Sequence, residues 1–287
     1  MSTALHDPAS TIPDLASLRA TLDQIDDGLH TLLIRRAETV AAVAALGVKG
    51  AVPLRPGREA AIIRRLLIRN AGQILPGLAI VRIWRELLAA MTQQQRPTLI
   101  TVAETAGTPD MTALAREHFG AATPLHIRRS AAQAVSEVSA GLAGAAVLPL
   151  PADGETDAAA WWTALMHRDD PRIHVVARLP FWAPRAEGAS DTQALVVCAA
   201  PPDPSGHDCS LLGLELPAEV SRARLVTLMA AAGFTPGPTI LRRHDTVMQA
   251  LVEVDGFVRD DDARLQTLPA LRPPVVVGAY AIPIGES

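Results

Sequence analysis

Apolar residues recur at spacings of three and four through Leu15, Leu18, Leu22, Ile25, Leu29, Leu32 and Leu33, and Val40 and Val43 continue the series. That period predicts one long helix over residues 14–46, opened by Pro13 and Asp14, with Gly47 and Gly50 as stop signals. Such a helix would be about 50 Å long. A rod longer than a small domain is wide asks for a partner chain or a long second helix to cover its stripe. Further helices are expected over 57–70, opened by Pro56, and over 78–95, where Ile80, Ile83, Trp84, Leu87, Leu88 and Met91 recur. No strand pattern occurs in this stretch, so residues 1–97 read as an all-helical domain.

The pattern then changes. Short β-rich runs at 98–103, 144–150, 173–179 and 194–199 alternate with helical stretches such as 110–119 and 130–142, which predicts an α/β domain over 98–200. Residues 200–208, APPDPSGHD, read as a linker. After it come strand 209–216, helix 218–232, strands 238–243 and 247–255, helix 260–268 and strand 274–280. This order predicts a ferredoxin-like βαββαβ unit over 209–287. The expected fold class is an all-α N-terminal domain of three helices followed by an α/β region that ends in this unit.

Composition narrows the function classes. Apolar residues make up 49% of the chain, enough for a sizeable core, and the net charge of -4 argues against a nucleic-acid partner. Cys198 and Cys209 have no ligand spacing and read as free thiols in a reducing cytosol. His126, His174 and His244 are too scattered for a metal site. No uncharged apolar run reaches the roughly 18 residues of a membrane span, and the first ten residues lack a secretory pattern. A soluble cytoplasmic protein without metal or cofactor is expected. One position stands out: Lys49 is the only lysine, against 25 arginines.

Several charges lie where a helix facing water would not need them. Arg19 sits beside Leu18. Arg35 and Arg36 follow the apolar run Leu32-Leu33-Ile34. Arg58 and Glu59 lie in the first turn of the second helix, where an arginine opposes the helix dipole. Any one of them fits a solvated face. Taken in order, L-R-x-x-L-D-x-I-D at Leu18 to Asp26, Arg36, R-P-G-R-E at Arg55 to Glu59, R-I-W-R-E at Arg82 to Glu86 and Gln95 resemble the all-helical class of chorismate mutase. The resemblance spans residues 15–95. It implies an intertwined homodimer in which the long first helix crosses between protomers.

The chemistry that the resemblance implies suits these residue types. Chorismate is a compact dianion, and its rearrangement to prephenate needs no nucleophile, proton transfer or cofactor. The protein must hold one folded conformer and stabilise negative charge growing on the ether oxygen. Arginine forks suit the two carboxylates. By resemblance, Arg19 reaches into the partner's site, Arg36 and Arg58 hold the substrate, Glu59 accepts from its hydroxyl and Gln95 donates to the ether oxygen. Arg19 and Arg36 point about 100° apart on one helix, which suits service to two different sites. Arg55 is a further candidate for substrate binding, at a position where the family carries an acidic or variable residue. Met91 stands where a small hydroxyl residue is usual. The family's second donor to the ether oxygen is a lysine 11 residues after the arginine matched by Arg36. Here that position is Gly47, and Lys49 follows two residues later. On a continued helix Lys49 would lie about 220° from Arg36. It becomes the candidate donor if the helix breaks at Gly47.

The second half resembles the prephenate dehydratase and ACT regulatory regions of bifunctional enzymes of phenylalanine synthesis. Leu150-Pro151-Ala152 stands where that family has Glu-Asn-Ser, and Thr192-Gln193-Ala194 stands in place of Thr-Arg-Phe. Ser221-Arg222-Ala223-Arg224-Leu225 replaces the P-G-A-L ligand motif, whereas ALVEVDGFVRDD at 250–261 and VVGAYAIP at 276–283 are better kept. The resemblance therefore implies a dehydratase-like scaffold without its catalytic set. Two alternatives to a mutase remain: a non-catalytic or regulatory homologue that binds a chorismate-like dianion or a partner enzyme, and isochorismate pyruvate lyase on the same helical scaffold.

Overall fold

The computed structural model describes residues 14–46, 53–105, 110–183, 185 and 188–285. Two compact units result, residues 1–48 and residues 49–287.

The described residues of the first unit form one uninterrupted helix, α1 (Leu15–Ala45). Asp14 caps it by accepting from the Ser17 N–H at 2.7 Å, which satisfies one of the donors every helix start leaves open. The predicted stripe is present, but no residue of α1 is buried. Leu15, Leu18, Leu22, Ile25, Leu29 and Leu32 are each between 47% and 62% exposed.

Among the described residues, the second unit holds every other helix and every strand. Helix α2 (Pro56–Asn70) starts with proline, whose fixed φ and missing N–H cost nothing in the first turn. Helix α3 (Gly77–Gln95) follows a short turn. Ala60 and Ile63 of α2 and Val81 and Leu88 of α3 share a buried cluster with Phe181 and Ala281. Ile63 is fully buried, a burial worth about 1.5–3 kcal/mol. The exit from α3 is clamped. The Thr98 N–H donates to Gln93 Oε1 at 2.9 Å, and Gln93 Nε2 donates back to the Thr98 carbonyl at 2.8 Å. This clamp delays the first strand to residue 100, two residues later than the apolar run suggests.

One nine-stranded sheet runs through the rest. In chain order its strands and the helices between them are β1 (Ile100–Ala103), α4 (Met111–Phe119), β2 (Leu125–Arg128), α5 (Ala131–Ser139), β3 (Ala145–Pro149), β4 (His174–Leu179), β5 (Ala194–Cys198), β6 (Asp208–Pro217), α6 (Arg222–Ala231), β7 (Pro236–His244), β8 (Val247–Asp255) and β9 (Val275–Ala281). The order across the sheet is β2-β1-β3-β5-β4-β9-β6-β8-β7. β1 pairs in parallel with β2 and β3, and β5 pairs antiparallel with β3 and β4. β9, β6, β8 and β7 are antiparallel neighbours in the order of a ferredoxin-like unit.

The two halves of the sheet join where β4 meets β9, with Val175 opposite Gly278. A Cβ at Gly278 would lie 2.1 Å from the Val175 carbonyl oxygen, so only glycine lets the strands approach this closely. The expected helix over 260–268 is a single 3-10 stretch, Ala263–Thr267. Asp262 caps it and pairs with Arg264, and the residues before it form a loop instead of a first turn. The edge strand β2 has no counterpart among the sequence-based expectations.

Candidate active site

The RPGRE segment, residues 55–59, makes the entry of α2. Pro56 and Gly57 are buried, Arg58 is exposed and Glu59 is half-buried. What fixes this turn is Asp203, in the stretch expected to be a linker. The Arg58 N–H donates to Asp203 Oδ2 at 3.0 Å, and Arg55 Nε lies 3.4 Å from the same oxygen. A carboxylate at a helix N-terminus both satisfies an open N–H and complements the dipole. A Cβ on Gly57 would fall 1.9 Å from the Asp203 carbonyl oxygen. The glycine is therefore what allows the loop to lie against the first turn. Arg55 thus contacts a protein carboxylate while its side chain remains half exposed.

Two turns along, Arg64 fastens α2 to the same loop. It donates to Ser205 Oγ at 2.7 Å, to the His207 carbonyl at 3.0 Å and to the Ile282 carbonyl. Burial pulls the Arg64 pKa down, and Asp208 opposes that pull.

Glu59 faces a second cation. Arg85 Nη1 of α3 donates to Glu59 Oε2 at 3.0 Å, with both side chains largely withdrawn from solvent. The Arg85 guanidinium stands 4.6 Å from the centre of the Phe181 ring, and Arg64 stands 6.0 Å from the same ring. Burial lowers the Arg85 pKa, while Glu59 and then Glu117 hold the charge in place. His118 of α4 lies behind it. Burial first, and the Arg85 charge second, push its pKa well below the usual imidazole value, so it is neutral at pH 7. The space around Arg85, Phe181 and His118 leaves a void of only about 20 Å³, room for about one water.

Gln95 is half-buried at the end of α3, and its amide donates to the Met91 carbonyl at 3.0 Å. Arg19 and Arg36 lie on α1, Arg19 exposed and Arg36 half-buried. The helix ends at Ala45. Gly47 and Lys49 lie outside the described residues. Within the second unit the structure thus brings Glu59 to Arg85 and brings Arg55 and the Arg58 backbone to Asp203.

Asp203, Arg85 and Phe181 were missed as parts of this site. One signal was present: Val81, Arg85, Leu88 and Thr92 share the buried stripe of α3, so Arg85 is a charge on an apolar face. In the α/β region, Gln193 stands where the dehydratase resemblance asks for an arginine. Its Oε1 accepts from Arg178 at 3.0 Å, and Arg178 also lies 3.7 Å from Glu253.

Residues 18–96 match the family described as chorismate mutase type II. Curated proteins contain no match to the chain. Among solved structures, one described as GqqA, a novel type of quorum-quenching acylase, is 15% identical with a TM-score of 0.47 and covers 64% of this chain and 94% of its own. Prephenate dehydratase from Streptococcus mutans is 14% identical with a TM-score of 0.44, covering 64% and 97%. Prephenate dehydratase from Arthrobacter aurescens, in complex with L-Phe, is 15% identical with a TM-score of 0.46, covering 64% and 90%. Among the described residues no helix is long and apolar enough to cross a membrane.

Proposed function

We propose that residues 15–95 rearrange chorismate to prephenate, in the aromatic amino-acid branch that leads to phenylalanine. One observation carries the reading. The family match over 18–96 coincides with α1, α2 and α3, and the motif resemblance is what gives Arg19, Arg36, Arg58, Glu59 and Gln95 their roles. Arg36 and Arg58 grip the two carboxylates of the dianion, helped by Arg55, and so select the folded conformer. Glu59 accepts from the substrate hydroxyl. Gln95 and Lys49 donate to the ether oxygen as the C–O bond breaks and charge gathers there. Arg19 reaches the site of a second copy, so the working form is a cytoplasmic homodimer. The exposed apolar stripe of α1 supports that assembly. The α/β region serves as a dehydratase-like scaffold without dehydratase chemistry.

A second reading draws on Gly47 in place of a lysine and on Glu59 already engaged by Arg85. On that reading the helices bind a chorismate-like dianion, or a partner enzyme, without turnover. Chorismate loss and prephenate appearance, followed with the purified full chain, separate the two. Dianion binding with no turnover would sink the mutase reading. Pyruvate release from isochorismate would replace it with the lyase. Phenylpyruvate formed from prephenate would overturn the role given to the α/β region.

A further inference from the structure

The contacts at α2 assign a task to the α/β region. The Arg58-Glu59 pair is held from outside its own helix at two points. At the first, the Asp203 carboxylate receives the Arg58 N–H at 3.0 Å, and the Asp203 backbone fills the space that a side chain at Gly57 would need. At the second, Glu59 Oε2 takes its hydrogen bond from Arg85, whose guanidinium rests 4.6 Å from the Phe181 ring centre. Asp203 and Phe181 both belong to the α/β region, 145 residues and 122 residues from the α2 residues they govern, Arg58 and Glu59 respectively (203 − 58 and 181 − 59).

We propose that the α/β region is the positioning frame of α2: Asp203 sets the turn that carries Arg58, and Phe181, acting through Arg85, sets the Glu59 carboxylate. The proposal rests on the mutase reading for the use of those two side chains.

The physics favours a positioning role over a merely cohesive one. A buried arginine is costly unless its charge is met. Arg85 is met on one side by Glu59 and on another by the face of an aromatic ring, which attracts cations. Glu117 contributes a further opposite charge, and His118, neutral, adds no competing one. The carboxylate is therefore tied to a cation that cannot swing out to solvent. This frame also accounts for a dehydratase-like half that has lost its own motif residues yet stays packed on the helices: Ala60, Ile63, Val81 and Leu88 lie in one cluster with Phe181 and Ala281.

The test uses the full chain and two readouts. Hydrogen exchange at the first turn of α2 should quicken about tenfold or more in Asp203→Ala, while exchange in the middle of α3 stays as in the parent. In steady-state assays with chorismate, Phe181→Leu keeps an apolar side chain but removes the ring. It should lower kcat about tenfold with KM nearly unchanged, and Arg85→Lys should retain more activity than Arg85→Met. A cycle with Glu59→Gln isolates the route: in that background Phe181→Leu should cost less than twofold. Unchanged exchange in Asp203→Ala overturns the first contact. Additive losses in the cycle, or a Phe181→Leu enzyme as fast as the parent, overturn the second. A parent that does not turn over chorismate sinks the mutase reading itself and removes the functional use of the frame, a result distinct from either of the others.

Discussion

Helices α1 and α2 are both proposed to carry arginines of one site, yet they are supported in opposite ways. α1 has 31 residues and buries none of them, although its leucines form a continuous stripe. α2 has 15 residues, buries four, and has its N-terminus capped by a side chain 145 residues away. Each exposed leucine forgoes about 1.5–3 kcal/mol that burial would supply. A stripe of six such residues is a surface made for a partner, and on our reading the partner is a second copy. α2 already has its partner within its own unit. One half of the proposed site therefore depends on assembly and the other on the α/β region.

The largest expected effect comes from breaking the α1 stripe. Leu22→Asp combined with Leu29→Asp should give a monomer by sedimentation. Chorismate turnover should fall by about 10³-fold or more, because Arg19 and the donors of α1 would no longer be brought to a partner's site. Full turnover from a monomer would mean that α1 needs no second copy, and the contrast with α2 would disappear. Lys49→Ala comes next. If its ammonium replaces the donor missing at Gly47, kcat should fall about 10²-fold. A variant as active as the parent would make Lys49 an ordinary surface residue.

Local signals carried most of the fold in advance. Asp14 and Pro56 start their helices where capping chemistry says they should, and the ferredoxin-like order followed from alternating runs. Strand β2 was invisible because an edge strand reading Leu-His-Ile-Arg has no buried face to impose a period: its two central residues are exposed and its ends only half-buried. The 3-10 stretch at 263–267 was overestimated as a helix because three successive aspartates before it favour loop and cap conformations. In the site, Arg58 and Glu59 were legible as a motif. Asp203 and Phe181 were not, since no sequence period links residues more than a hundred positions apart. Gly57 hinted at the contact. A glycine inside a first helical turn is a poor helix former, and its presence is explained by the backbone of Asp203 beside it.

Two glycines sharpen the comparison at smaller scale. At Gly57, the added methyl of Gly57→Ala would meet the Asp203 carbonyl oxygen at 1.9 Å. Because that neighbour is backbone, it can yield only by moving the loop. The variant should lose about 1–3 kcal/mol in urea unfolding. An unchanged midpoint would show that the loop gives way freely and is no frame.

The smallest effect is expected at Gly28, in the middle of α1, where an added methyl meets nothing within 4 Å. Glycine costs a helix interior about 0.5–1 kcal/mol relative to alanine. Gly28→Ala should therefore stabilise the protein by that amount, opposite in sign to Gly57→Ala. Position 28 lies on the flank of the leucine stripe, about 90° from its centre, so the substitution also probes the edge of the proposed dimer contact. A gain that is the same at high and low protein concentration places Gly28 outside the contact. A loss that comes with weaker self-association would put a partner's backbone against it, and the freedom seen around Gly28 within one chain would then be the space the second copy fills.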